Sequence, residues 1–440
     1  MTDVVYLIYT GFSEGRRAMN TLKICKGVTL LTHKADNFKT AQASINIAMP
    51  LRDKYRAARA LLIYIISKTN RDYPTIKVMG TKLDMLYGAS IYPSVIKSGD
   101  SQIIRLSLEC IDDRFALTDE SVILGSLTLM LDMLFKPNLE GAGFPDEDVK
   151  REKRLMIERI RSINDDKIAY AFNRMIEEMC ADEDFSLSKY GTVEEVEKVT
   201  GEDVFKALTD VLLHAPIQIN VIGNFDGEKV RSVIAEKFSQ FERTDIRELH
   251  TEFQSEAYDE RRISEKQDVN QSKLVIGMRA GMTYDRDNYA ALKVMTDIFG
   301  SGTYSKLFMN VREKKSLCYY CSAKLDAGKG LIVIQSGVER DNVEEALDAI
   351  KKEFSDMQKG NFDDEVIRSS KMSICDSLNS VWDTPDSIDS WFAAQQTAST
   401  AYSPDEMIKM INDVTKEEIM TAAMFATFDT VYTLESEAEE

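Results

Sequence analysis

Histidine is scarce in this chain, 3 among 440 residues. His33, His214 and His250 are widely separated, and none belongs to an HxxH, HxxxH or HxxEH pattern. A catalytic zinc takes three protein ligands, commonly two histidines on one helical face plus a carboxylate. The chain therefore offers no zinc site of its own. Cysteine is sparse too: Cys25, Cys110, Cys180, Cys318, Cys321 and Cys375 are scattered, which excludes a disulfide framework and fits a reducing cytoplasm. No run approaches the ~20 apolar residues that span a bilayer. Met1-Thr2-Asp3-Val4-Val5-Tyr6 lacks a basic stretch followed by an apolar one, so no leader is expected. Positive charge is in deficit, with 55 Lys and Arg against 73 Asp and Glu, net −18. That balance argues against nucleic acid and anionic membranes as partners, while leaving room for a local basic patch.

What the chain does have is an internal repeat. Tyr55-Arg56-Ala57-Ala58-Arg59-Ala60-Leu61 returns as Tyr289-Ala290-Ala291-Leu292-Lys293-Val294-Met295. Phe144-Pro145-Asp146-Glu147-Asp148-Val149 returns as Phe362-Asp363-Asp364-Glu365-Val366-Ile367, and Val199-Thr200-Gly201-Glu202-Asp203 as Val414-Thr415-Lys416-Glu417-Glu418. The three pairs keep their order while their offset shrinks, as in a duplication whose second copy has shorter loops. The period is too long for a solenoid, so it predicts two related domains, each of ordinary size.

Residues 241–262 are half charged and lack Gly and Pro, which reads as an ordered, solvated connector. The expected domains are therefore 1–240 and 263–440. Each half begins with strands (Ala43 to Met49; Lys273 to Met278), followed by a helix opened by Tyr55 or Tyr289. Further strands are expected at Ser101–Ile111 and Gly330–Gln335, and long helices with acidic first turns near Asp146 and Asp363. Each half closes with a Thr-x-Glu helix start and a strand, Ile217 to Val221 and Thr430 to Leu434. The predicted class is α+β, two homologous domains, each a mostly antiparallel sheet faced by helices.

Cys318-Tyr319-Tyr320-Cys321 is a CxxC in an apolar, aromatic stretch that reads as a strand. Residues three apart on a regular strand face opposite ways, so the thiols are expected to pack separately rather than meet. Just before it, Gly300 and Gly302 break a helix, Ser305 can cap the next, and Leu307 and Val311 form its apolar face. Arg312 lies near the end of that helix and Tyr319 enters the strand. A guanidinium and a phenol so placed could bind a peptide carboxylate or stabilise an oxyanion; a solvated helix end is the plain alternative.

The run Phe299 to Tyr319 resembles the C-terminal motif of the pitrilysin, insulysin and mitochondrial processing peptidase family, the inverzincins. That motif has a glycine-rich break, Ser-x-Leu-Phe, then Arg-Glu-Lys and a tyrosine. The duplicated halves, the acidic segment 144–166 and the VT-x-E-D/E stretches resemble that family as well, and together they cover about 15 to 435. The family's active members carry HxxEH on the first helix. On this chain the resemblance sets Arg59 and Ile63 at the histidine positions and Leu62 at the general base. The third ligand falls at Arg159, or at Glu158 if the register slips by one. None of Arg59, Leu62 and Ile63 can serve, so a solitary peptidase is not expected.

The resemblance implies instead half of a clamshell: a non-catalytic subunit that holds no cofactor and closes on an HxxEH-bearing partner around a peptide. Zinc would sit in the partner, and Arg312 and Tyr319 would act in trans at its active site. Net charge would favour basic or extended peptides, and an extended peptide could add to a strand edge. The alternative is a catalytically dead homodimeric scaffold or peptide-binding protein of the same fold. A thiol redox protein using Cys318 and Cys321 is a third reading.

Overall fold

A computed structural model describes residues 17–117, 119–283, 288–398 and 400–436. Met1 to Tyr6, the segment on which the absence of a leader was judged, lies outside them. The chain folds into two compact units, and neither is one contiguous stretch. The first comprises Met1–Ile160, Leu187–His250 and Ser380–Ala401; the second comprises Arg161–Ser186, Thr251–Asn379 and Tyr402–Glu440. Each therefore incorporates a helical segment from the other half of the sequence.

The first unit holds a six-stranded sheet of β1 (Asn20–Cys25), β2 (Val28–Lys34), β3 (Thr40–Pro50), β4 (Ser90–Ser98), β5 (Ser101–Ile111) and β6 (Ile217–Gly223). Its spatial order is β1-β2-β6-β3-β5-β4. The second holds β7 (Arg261–Gln267), β8 (Ser272–Arg279), β9 (Cys318–Asp326), β10 (Leu331–Val338) and β11 (Thr427–Ser436), ordered β7-β11-β8-β10-β9. Leaving out β1, the two orders superimpose. In both, one parallel pair (β2 with β6, β7 with β11) joins an otherwise antiparallel run. The repeat seen in the sequence is thus a repeat of topology.

The repeated motifs are local devices that build this plan twice. Thr200 and Thr415 each accept a hydrogen bond from the backbone N–H three residues on, while Asp203 and Glu418 bond back to the threonine N–H. Those capping boxes satisfy donors that would otherwise be orphaned at the starts of helices Gly201–His214 and Lys416–Phe425. Acidic first turns open helices Asp146–Asp165 and Asp364–Asn379. The charged connector carries no regular structure until Arg261, where β7 begins.

The exchanged helices dock through buried polar groups. Helix Pro385–Ala393 packs on β3 and β6 of the first sheet. Its fully buried Asp389 accepts from Ser44 Oγ at 2.6 Å, Asn220 Nδ2 at 2.7 Å and Arg105 Nη2 at 2.7 Å. Helix Lys167–Met179 packs on β8 and β11. Gly277 in β8 leaves the space that Met175 and Met179 fill; a Cβ there would collide with both sulfurs. Beside them, buried Arg279 pairs with Glu183 at 2.7 Å and Asp429 at 2.8 Å, and Lys329 reaches Glu183 at 2.8 Å. Among the described residues no helix is long and apolar enough to cross a membrane.

Candidate functional site

In the first unit the decisive element is helix Arg56–Ile66, whose eleven residues are all buried. A helix apolar on nearly every side must be enclosed; this one lies against β4, β5 and helix Gly201–His214. Leu62 and Ile63 are fully buried core side chains. Arg59 is fully buried too, and every arm of its guanidinium is used. Nε donates to Gln102 Oε1 at 2.8 Å, Nη1 to Asp53 Oδ1 at 2.9 Å, and Nη2 to the Pro50 carbonyl at 3.0 Å. Burial pulls the Arg59 pKa down, and Asp53 opposes that shift.

The structure does not bring Arg159 to any of these three. It brings Arg159 to Tyr64, with the guanidinium carbon 4.2 Å from the ring centroid. Glu158, the alternative third position, is engaged on its own helix by Arg154 at 2.8 Å. Tyr64 stands near Tyr190, whose phenol is pushed up to about 12, first by burial and then by Tyr64. Lys189 stands next in the chain, its ammonium 5.0 Å from the Tyr190 ring. Its pKa is lowered, first by burial and second by the charge of Arg159. Gln102 holds this corner in place: besides accepting from Arg59, its Nε2 donates to the Lys189 carbonyl at 2.6 Å and to the Arg56 carbonyl at 3.0 Å.

Sequence reasoning missed Tyr64, Lys189 and Tyr190. The only local signal was a tyrosine inside the otherwise aliphatic run Leu61 to Ile66. A cation cannot ligate a cation, and arginine, leucine and isoleucine supply no acceptor, so these residues do not fit a catalytic zinc. Among the described residues there is no cluster of three or more His, Cys, Asp and Glu able to hold a metal.

In the second unit, Arg312 and Tyr319 lie on consecutive elements. Leu307–Lys314 forms a π-helix, a rare wide turn that is frequent at functional sites. Leu307 and Val311 anchor it in the core. Arg312 is partly exposed, its guanidinium 4.6 Å from the Phe308 ring centroid. Ser316, with φ +53, turns the chain back, and the Leu317 N–H bonds to the Val311 carbonyl. Tyr319 then emerges 59% exposed, donating its phenolic proton to Glu339 Oε1 at 2.9 Å. That bond raises the phenol's pKa.

The CxxC expectation needs correction. Cys318 and Cys321 are both buried on β9, and each shifts the other's thiol. The cause is an irregularity in the β9–β10 ladder, where Cys321 pairs with Ser336 and Cys318 with Val338. Two steps along β10 oppose three along β9, so the extra residue returns both thiols to one face. Cys318 is drawn down to about 7, first by Cys321 and further by Ser336 and Arg312 against burial; Cys321 is raised. The influence of Arg312 on Cys318 also shows that its charge reaches the residue adjoining Tyr319.

Over residues 198–374 the chain matches the family described as "Peptidase M16 inactive domain". It is 30% identical over 408 residues to "Probable inactive metalloprotease YmfF" of Bacillus subtilis (strain 168), spanning 93% of this chain and 96% of that protein. The chain belongs to the peptidase M16 family. Within that family it is a zinc-less, inactive-type member. A second Bacillus subtilis protein, "Uncharacterized zinc protease YmxG", is 21% identical across 58% of this M16 chain and 60% of its own length. Among solved structures, a conserved protein from Enterococcus faecalis V583 superimposes with TM-score 0.87 at 24% identity, over 96% of this chain and 99% of that one. A "peptidase M16 inactive domain" from Pseudomonas fluorescens does so with TM-score 0.79 at 14% identity, over 96% and 99%. At those identities the likeness is one of fold.

Proposed function

We propose that this M16 protein is the non-catalytic subunit of a two-chain zinc peptidase, binding peptide and lending Arg312 and Tyr319 to an HxxEH-bearing partner. The observation that carries the reading is a contrast between the two units. The first holds no metal ligands on helix Arg56–Ile66. The second keeps a partly exposed guanidinium and an exposed phenol on neighbouring elements, with no buried structural role for the phenol. A guanidinium fork suits a peptide carboxylate or carbonyl, and a phenol can donate to a tetrahedral oxyanion. For the latter, Tyr319 must release Glu339, a cheap exchange at an exposed site.

The contact between Arg159 and Tyr64 also favours a register one residue later than first assigned, with Ala60 and Tyr64 at the histidine positions and Ile63 at the base. Tyr64 is the residue that meets the helix supplying the third position. The functional test is reconstitution. The chain alone should cleave no unfolded peptide; mixed with an HxxEH-bearing M16 chain it should raise peptide turnover. Arg312→Ala and Tyr319→Phe should each reduce that gain by about 10²-fold, the scale of a lost oxyanion donor. A stable self-dimer that recruits no such partner favours the scaffold reading and overturns this one.

A further inference from the structure

We infer that the place of the zinc in this chain has become a carboxylate-binding site, formed by Arg159, Lys189, Tyr64 and Tyr190. The inference rests on the family reading of that locus, yet needs neither a partner chain nor the role given to Arg312 and Tyr319.

The first argument is charge. Several buried or partly buried cations in the same unit are matched: Arg59 with Asp53, Lys68 with Glu152, Arg105 with Asp389. Arg159 and Lys189 are partly buried, close enough to repel one another, and among the described residues neither has a carboxylate within ion-pair distance. In a chain of net charge −18, carboxylates are not in short supply. Two half-desolvated cations left side by side cost stability, and an anion between them recovers it.

The second argument is donor geometry. Arg159 lies over the Tyr64 ring, and among the described residues its one hydrogen-bond partner is the weak acceptor Met156 Sδ at 3.9 Å. A planar fork with free N–H groups matches the two oxygens of a carboxylate. The Tyr64 and Tyr190 phenols stand beside these two cations, and each carries an O–H that can donate. The groups on offer are therefore donors: guanidinium, ammonium and phenol O–H. Such a set selects an anion over an amide. The carboxylate can come from a peptide's C-terminus or from an acidic side chain, and peptides separate the two.

The test is calorimetric titration of the full chain with three probes: acetyl-pentaalanine with a free carboxylate, the same peptide amidated, and an amidated acetyl-peptide of alanines around one central glutamate. At least one carboxylate peptide should bind about tenfold or more tightly than the neutral amide. Preference for the first assigns a C-terminus, preference for the third an acidic side chain. Arg159→Gln and Lys189→Met should each abolish the preference. Without ligand, Lys189→Met should keep or raise the thermal midpoint, because it removes a repulsion, so this variant decides even if Arg159→Gln folds poorly. Equal binding of all three probes, or a preference that survives Lys189→Met, overturns the inference. Either result leaves the reconstitution experiment with Arg312 and Tyr319 independent.

Discussion

The Arg159 guanidinium carbon lies over the Tyr64 ring, 4.2 Å from its centroid. Side chains from two helices thus meet in a cation–π contact. One arginine from each of two helices survives near the degenerate motif, and their fates differ. Arg59 is locked by Asp53, Gln102 and the Pro50 carbonyl into a structural brace. Arg159 is left with donors to spare.

If Tyr64 marks the register, zinc can be restored there and nowhere adjacent. The combination Ala60→His, Ile63→Glu, Tyr64→His and Arg159→Glu should retain about one zinc per chain after gel filtration, by elemental analysis. Arg59→His, Leu62→Glu, Ile63→His and Arg159→Glu should retain none. The opposite result restores the earlier register.

Arg59→Met should lower stability by about 3–5 kcal/mol in urea unfolding, since it strands the nearly buried Asp53 carboxylate without its main partner. Arg59→Met combined with Asp53→Asn should recover part of that loss. A single variant as stable as the parent would show that the brace contributes little.

Cys318 should be the first thiol to react with iodoacetamide near pH 7.5. Its pKa of about 7 leaves much of it as thiolate, whereas burial lifts Cys110 to about 12. Peptide mapping at short times should find the label on Cys318 ahead of Cys110. Equal labelling of both residues refutes the assignment.

The second unit should be acid-sensitive through Glu183. Burial alone would raise its pKa, but Arg279 and Lys329 outweigh burial and hold it below the usual glutamate value of 4.5. A carboxylate depressed in the fold stabilises it above the unfolded pKa, and that contribution fades as pH falls through the folded one. Thermal midpoints should therefore drop below about pH 4.5. Glu183→Gln should flatten that part of the profile while lowering the midpoint at pH 7.

Elements with local causes were legible. The threonine caps, the acidic first turns and the alternating runs of β6 and β11 depend on residues within a few positions of each other. β7 was not legible: its sequence RRISEKQ is polar on both faces, and it becomes a strand only by pairing with β11. The CxxC misled because strand periodicity assumes a regular ladder, and the irregularity lies in pairing with β10. The trio Tyr64, Arg159 and Lys189 escaped because nothing in chain order relates residues so far apart.

By itself the amino-acid order determined that this protein is a duplicated α+β chain without metal ligands, because duplication and ligand loss are matters of residue type and spacing. Tertiary folding decided which helix covers which sheet, which tyrosine meets Arg159, and which cations remain unpaired. Those outcomes turn on buried charge finding, or not finding, a partner across long stretches of chain, and no local pattern encodes that.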